Sequence, residues 1–383
     1  MPPLVWKILK WSSDTRVFFF ALIWLSFLVI AGTLAQADLG LYQAQQKYFS
    51  AWILWIWYIP LPGGSPVLTI VFVGLLVKLI FFTNWKPRFY GTIVVHFGAL
   101  LLLFGSFLTA AFSSEGAMVI PEGGRTAFVR DYHAIELAIT NRANPEFDET
   151  VTFAAGWLKY GEVIHHEQLP FDLEIIQYCA NCRLERRSGP PPSSEWKGMA
   201  RNFNLTEIPL HKDDSNNMAG LVFRIKTKAN ANNNQLDGIY AIFENMNIPQ
   251  AFKLAGGDYL LEIRHELRQL PFEIELIDFV KEDHPGTQMA RSYSSEVNLI
   301  DSDVHQRVLI SMNHPLRHKG YTLYQSSFIQ AGMGETTVLA VVENVGRLFP
   351  YISSLIMCIG LLLHLLIKMP VLFHNRSNAG GEQ

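Results

Sequence analysis

Four long runs of apolar residues divide the chain, and they lie at 17–34, 67–82, 91–112 and 348–367. A bilayer core of about 30 Å needs about 20 apolar residues in a helix to cross it. The pattern therefore predicts four transmembrane helices, separated by residues 35–66, 83–90 and 113–347.

Residues 113–347 have a different pattern. Phe272, Ile274 and Leu276 alternate with Glu273 and Glu275, which is the period of a half-buried strand. Similar runs recur between turn-rich stretches. The predicted fold class is a membrane α-helical protein with four transmembrane helices and a large, mainly-β extracytoplasmic domain.

An internal duplication is predicted within that domain. Residues 168–178 match residues 269–279 at six of eleven positions, and Met-Ala-Arg at 199–201 recurs at 289–291. Two matches in the same order predict two similar β units, about 125–250 and 251–330, packed as a sandwich or as two sheets.

The loop at 35–66 contains an aromatic segment, 48–58, which is too short for a further span. Trp and Tyr prefer the membrane–water boundary. We therefore expect an interfacial aromatic helix that lies on the outer face and contacts lipid.

Basic residues predict the orientation, because they are enriched in cytoplasmic loops. Lys and Arg occur in 1–16, 83–90 and 368–383, whereas 35–66 contains only Lys47. Both termini are expected in the cytoplasm and 113–347 in the periplasm or its equivalent, with the chain in the inner membrane. Ala35-Gln36-Ala37 resembles a signal-peptide cleavage site, but the apolar run is long and we expect an uncleaved anchor.

Composition narrows the possible functions. The chain has 383 residues, 49% of them apolar, and a net charge of −3 without strong runs. Nucleic-acid binding needs clustered Lys and Arg, so it is not expected. Lys78 lies near the end of the second run, where its ammonium is expected to snorkel to the surface.

Two histidines stand out in the predicted spans. His96 lies about 8 Å inside the third span and His364 about 6 Å inside the fourth, counted from the cytoplasmic ends. Ionisable groups in a membrane are costly and usually functional. The pair suggests haem ligation by His96 and His364. Hydrogen bonding to a neighbouring helix is the alternative, and a metal site is not expected.

Cys179 and Cys182 form a Cys-x-x-Cys pair. Arg183 follows, so this is no covalent haem attachment site. A structural pair and a redox pair both remain open. His165-His166 and His265 precede the two matching segments, and they are expected to be surface residues. No Ser/His/Asp order, zinc spacing or phosphate loop stands out, so catalytic residues stay unknown.

Several stretches resemble the ResB (CcsB) family of cytochrome c maturation system II. The stretches that carry the resemblance are 31–36, 60–64, His96 to Gly105, Glu115-Gly116, Glu122-Gly123, 312–316 and 319–328. The last, Lys-Gly-Tyr-Thr-Leu-Tyr-Gln-Ser-Ser-Phe, is the most specific of them.

The resemblance implies a ResB-type subunit of a cytochrome c synthetase. Such proteins pair with a CcsA-type (ResC) membrane partner, move haem b transiently across the membrane, and attach it to apocytochrome c by thioether bonds. A thioredoxin-like protein reduces the apocytochrome. The family's membrane His maps onto His96. The partner's Trp-rich segment is missing here, so the chain is not expected to catalyse haem attachment alone.

Two other functions remain open. One is a haem b electron-transfer protein that uses His96 and His364 as permanent ligands, and the other is an assembly scaffold that holds no haem. Haem content and quinol reactivity distinguish the three hypotheses.

Overall fold

The computed structural model describes residues 3–144, 146–228, 236–246, 250–254, 257–287, 289–302, 304–331 and 334–379. They form two compact units. The helical unit comprises Met1–Ser114, Lys319–Tyr321 and Val342–Gln383, and the β unit comprises Glu115–His318 and Thr322–Val341.

Six α-helices occur in the described part of the helical unit. They are α1 Pro3–Ser12, α2 Thr15–Leu39, α3 Leu41–Ala44, α4 Gly64–Val77, α5 Tyr90–Phe112 and α6 Phe349–Ala379. Two π-helical segments, Gln45–Ser50 and Lys78–Phe82, continue α3 and α4, and a 3-10 turn, Pro87–Phe89, precedes α5. Four segments are long and apolar enough to cross a membrane: Thr15–Leu39, Gly64–Phe82, Pro87–Phe112 and Phe349–Met369. The helical part of the predicted fold class is confirmed.

The aromatic segment is not the predicted helix. Helical structure ends at Ser50, and β1 Ile53–Ile56 pairs with β2 Ile59–Pro62 in an antiparallel hairpin. Pro60 and Pro62 lack an N–H and favour extended backbone. At the tip, Trp57 has a φ of 57° and its side chain is 91% exposed.

Strands dominate the β unit. They are β3 Ser114–Pro121, β4 Arg125–Asn141, β5 Glu149–Ala154, β6 Val163–Ile164, β7 Phe171–Cys179, β8 Cys182–Arg186, β9 Phe203–Glu207, β10 Gly220–Thr227, β11 Gly238–Phe243, β12 Gln250–Leu254, β13 Gly257–Asp283, β14 Ala290–Asp301, β15 Val304–Ser311, β16 Leu316–His318, β17 Tyr321–Ala331 and β18 Gly334–Glu343. Short 3-10 turns occur at Ala155–Trp157, Gly198–Arg201 and Asp214–Asn216.

Two sheets enclose the core of the β unit. The smaller has the order β11-β10-β7-β6, and the larger has the order β15-β14-β13-β4-β3-β18-β17-β16, with β12 beside β13 and β5 beside β4. Phe171 and Phe223 of the smaller sheet are fully buried against Leu137 of β4 and Tyr259 and Leu261 of β13. Strands β8 and β9 form a separate hairpin. The mainly-β prediction is confirmed.

The duplication is visible as a repeated sheet pattern. Strand β7 pairs with β10, which pairs with β11, just as β13 pairs with β14, which pairs with β15. The register of β7 against β10 skips Ile176, and that of β13 against β14 skips Ile277. These two bulges are 101 residues apart, which is the offset of the first sequence match.

The second sequence match has no structural counterpart. Met199-Ala200-Arg201 lies in a 3-10 turn, whereas Ala290 begins β14, whose equivalent in the first copy is β10. That match was therefore wrong as a marker of the duplication. A short tripeptide recurs by chance more easily than a strand with its bulge.

Candidate functional site

One face of α5 is a stripe of glycines that packs on α6. Gly91, Gly98 and Gly105 recur every seven residues. A Cβ on Gly91 would lie 2.3 Å from the His364 backbone nitrogen, and one on Gly105 would lie 2.1 Å from Phe349 Cβ. Only glycine permits so close an approach of two membrane helices. The stripe therefore fixes α6 against α5.

His364 lies at this interface. Its backbone is level with Gly91, and its Nδ1 is 3.2 Å from Thr92 Oγ1. The side chain is half-buried. Hydrogen bonding to a neighbouring helix, which is the alternative to haem ligation, is therefore one observed contact of His364.

His96 lies on another face of α5, one turn after Thr92. Its imidazole is close to the Thr92 backbone carbonyl, and it lines a cavity of about 350 Å³ between α2, α4 and α5. The cavity walls are mostly apolar and include Ala21, Leu25, Val71, Leu75, Ala99 and Leu103. His364 does not line this cavity.

The two histidines are offset along the helices. Because His364 is level with Gly91, His96 lies five residues, or about 7.5 Å of helical rise, further along α5. The expected equal depth is therefore not observed. Thr92 lies between them: its hydroxyl contacts His364 and its carbonyl faces His96.

Lys78 is the cation of the cavity. Its ammonium donates a hydrogen bond of 3.0 Å to Thr15 Oγ1 at the start of α2. Ser12, Ser13 and Asp14 line the same end. The backbone of α4 changes from α to π at Lys78, and such changes are frequent at functional sites. Lys78 is half-buried as a residue, and the hydrogen bond of its ammonium is exposed.

These residues fit a haem as substrate. A neutral imidazole is a common ligand of haem iron, the apolar walls suit the porphyrin ring, and a cation suits its carboxylates. His96 would hold the iron, and Lys78 lies on the wall of the same cavity. The described residues contain no cluster of three or more His, Cys, Asp or Glu side chains that could hold a metal ion.

Cys179 and Cys182 are joined by a disulfide between the end of β7 and the start of β8. Both are buried, with exposures of 1% and 4%, and a Cβ on Gly220 of β10 would lie 2.7 Å from Cys182 Sγ. The bond is inside the small core that contains Leu205 and Val222. A thiol exchanger needs an accessible sulfur, and this pair lacks one.

His265 is not the surface residue that its position suggested. Its side chain is only 15% exposed, and its Nε2 lies 3.2 Å from Glu244 Oε1. Glu244 also accepts hydrogen bonds from Arg130 at 3.1 Å and from the Ala219 backbone N–H at 3.1 Å. Burial opposes ionisation of Glu244, but these donors and the charges of His265 and Arg130 outweigh it and lower its pKa. The sequence missed this cluster because its members are far apart along the chain.

Comparison with known proteins agrees with the sequence motifs. Residues 235–338 match the model of the ResB-like family. This range includes the Lys319-to-Phe328 motif. Protein NrfI of Wolinella succinogenes is 31% identical over 99 residues, which are 25% of this chain and 11% of that protein. The matched stretch thus spans about a tenth of the relative's length, and His96 lies outside the family match.

The membrane helices, the β unit and these matches agree with one another. Residues 235–338 are therefore similar to the ResB-like family, in a chain with four helices that are long and apolar enough to cross a membrane.

Proposed function

We propose that the chain is the ResB-type subunit of a system II cytochrome c synthetase. With a CcsA/ResC-type membrane protein it moves haem across the inner membrane and presents it with apocytochrome c for thioether attachment. When bound, haem supplies the iron and the vinyl groups of that chemistry. This chain supplies a route for haem and a surface that binds apocytochrome c. The complex of both membrane proteins attaches the haem.

The single observation that carries the proposal is the cavity beside His96. An imidazole in a membrane span faces a space of about 350 Å³ with apolar walls and a cation. Intramembrane ionisable groups are costly, and they usually mark the path of a substrate. A plain anchor needs neither the cavity nor the two ionisable side chains.

The proposal includes an orientation. Lys7, Lys10, Lys86 and Arg88 flank the spans on one side, which we assign to the cytoplasm with both termini. The β unit then lies outside the cytoplasm, where apocytochrome c is matured. Its edge strand β15 exposes Val304 and Leu309, and an unpaired edge can bind an extended peptide segment.

The buried disulfide supports a division of labour. Because Cys179 and Cys182 are not accessible, reduction of apocytochrome c is assigned to a separate thioredoxin-like protein. The Cys pair is then structural.

A permanent haem b held by His96 and His364 is the second candidate. The observation in its favour is that both imidazoles face Thr92. The offset of about 7.5 Å and the absence of His364 from the cavity lining favour the first proposal.

The test is the haem spectrum of the chain purified with a CcsA-type partner. His96→Gly should remove most of the haem absorbance, and added imidazole should restore it, because free imidazole occupies the space of the lost ring. His364→Gly is the matched comparison and should keep most of the haem. Unchanged haem in His96→Gly would refute the ligand assignment. Equal losses in both variants, with electron exchange from quinol, would favour the haem b protein.

A further inference from the structure

Lys78 carries a charge that the cavity does not neutralise. Its hydrogen-bond partner, Thr15 Oγ1, is neutral. Among the described residues, no carboxylate lies within 4.0 Å of its ammonium, whereas many other basic side chains do form such pairs, as for example Arg264 with Glu136.

Asp14 lines the same cavity, but its carboxylate makes another contact. It caps α2 by accepting a hydrogen bond of 2.9 Å from the Arg16 backbone N–H. The cap stabilises the start of the helix. Lys78 is thus a cation that lines the cavity and is not paired with Asp14.

Lys78 is half-buried as a residue, while the hydrogen bond of its ammonium to Thr15 is exposed. A cation within a membrane span is unfavourable unless an anion or water offsets its charge. Most of the cavity walls are apolar, whereas Ser12, Ser13, Asp14 and Thr15 line the end that contains Lys78. The π-helical backbone begins at Lys78, and such changes of helix type are frequent at functional sites. These observations point to a ligand with an apolar body and a carboxylate.

We propose that Lys78 is the carboxylate anchor of the His96 cavity and selects for porphyrins with free propionates. This rests on the proposed function, in which the ligand is haem. Lys78 is then a specificity-determining residue, which contacts the ligand's periphery and leaves the iron to His96.

The test compares free-acid and esterified porphyrins on the full chain in detergent. The probes are haem, haem dimethyl ester, metal-free protoporphyrin IX and its dimethyl ester, with binding followed by Soret absorbance or porphyrin fluorescence. The variants are Lys78→Gln, His96→Gly and, as the matched control, Lys86→Gln. Lys86→Gln removes the same charge from the link at residues 83–90, and Lys86 does not line the cavity.

The wild-type chain should bind each free acid about tenfold more tightly than its ester, as expected for one charge-assisted hydrogen bond. Lys78→Gln should abolish that preference and leave ester binding unchanged, whereas Lys86→Gln should keep it. The inference is overturned if wild type shows no preference, if Lys78→Gln retains it, or if no porphyrin binds.

Failure of the proposed function gives a different result. Metal-free protoporphyrin has no iron, so its binding does not depend on an axial ligand. If the free-acid preference and its loss in Lys78→Gln appear with protoporphyrin, while His96→Gly leaves haem binding unchanged, then Lys78 is the anchor and His96 is not the ligand.

Discussion

The two units differ in the contacts that their ionisable side chains make. In the β unit, Glu244 is 3% exposed and has donors on every side: Arg130, His265 and the Ala219 backbone N–H. In the helical unit, Lys78 and His96 line a cavity of about 350 Å³, and among the described residues neither pairs with a carboxylate. A buried carboxylate with a donor for each of its oxygens stabilises the fold, whereas a cation in a cavity without an anionic partner indicates that something else binds there.

The largest expected effect tests the contacts of the Glu244 carboxylate. Glu244→Ala should lower the free energy of unfolding of the β unit by about 3 kcal/mol, because Arg130 and His265 would stay behind without their anion. Hydrogen exchange of β10 and β11 in the full chain measures it. Glu296→Ala is the control. It breaks a pair with Arg307 that is more exposed, and should change little.

The acid dependence of the same cluster gives an independent check. The pKa of Glu244 is lowered in the folded chain, so its stabilisation is complete above the ordinary value of 4.5 and is lost as pH falls through the lowered value. Glu244→Gln should therefore flatten the loss of stability in that acid range. Equal acid slopes for wild type and variant would contradict the role of the cluster.

A smaller effect is expected at the disulfide. Replacing Cys179 and Cys182 by Ala removes a short closed loop and should lower the stability of the β unit by about 2 kcal/mol. Cytochrome c maturation should continue at a temperature where the variant is folded. Lost maturation with unchanged stability would instead assign the pair a redox role.

The smallest expected effect is at Lys78. Lys78→Met should leave the stability of the haem-free helical unit within about 0.5 kcal/mol of wild type, or raise it, because no anion loses its partner. Thermal unfolding in detergent provides the measurement. A loss as large as that of Glu244→Ala would remove the distinction between the two units.

Hydropathy and strand periodicity were sufficient to predict the fold class. Runs such as 91–112 and the alternation around Phe272 reflect the solvent that each side chain faces, and this is a local property of the sequence. The hairpin of β1 and β2 was missed although Pro60 and Pro62 are signals of extended backbone. Aromatic residues occur at a membrane interface in helices and in strands, so they do not distinguish the two.

The candidate site was predictable only in part. His96 could be found because an ionisable residue in an apolar run is unusual. The level of His364 was misjudged because depth was counted from Lys368, whereas α6 continues to Ala379. The spacing of Gly91, Gly98 and Gly105 was visible in the sequence and would have given the register of α5 on α6. The contact of Lys78 with Thr15 joins two helices, and no local pattern encodes it.

The paired bulges at Ile176 and Ile277 also bear on the history of the chain. Gln177 pairs with Val222, 45 residues later, whereas Asp278 pairs with Glu296, 18 residues later. The copies have kept the first strand and diverged by length in the connection that follows it. That connection carries the β8–β9 hairpin, and Cys179 and Cys182 close its beginning. Relatives that lack the longer connection should therefore lack both cysteines, as one inherited block.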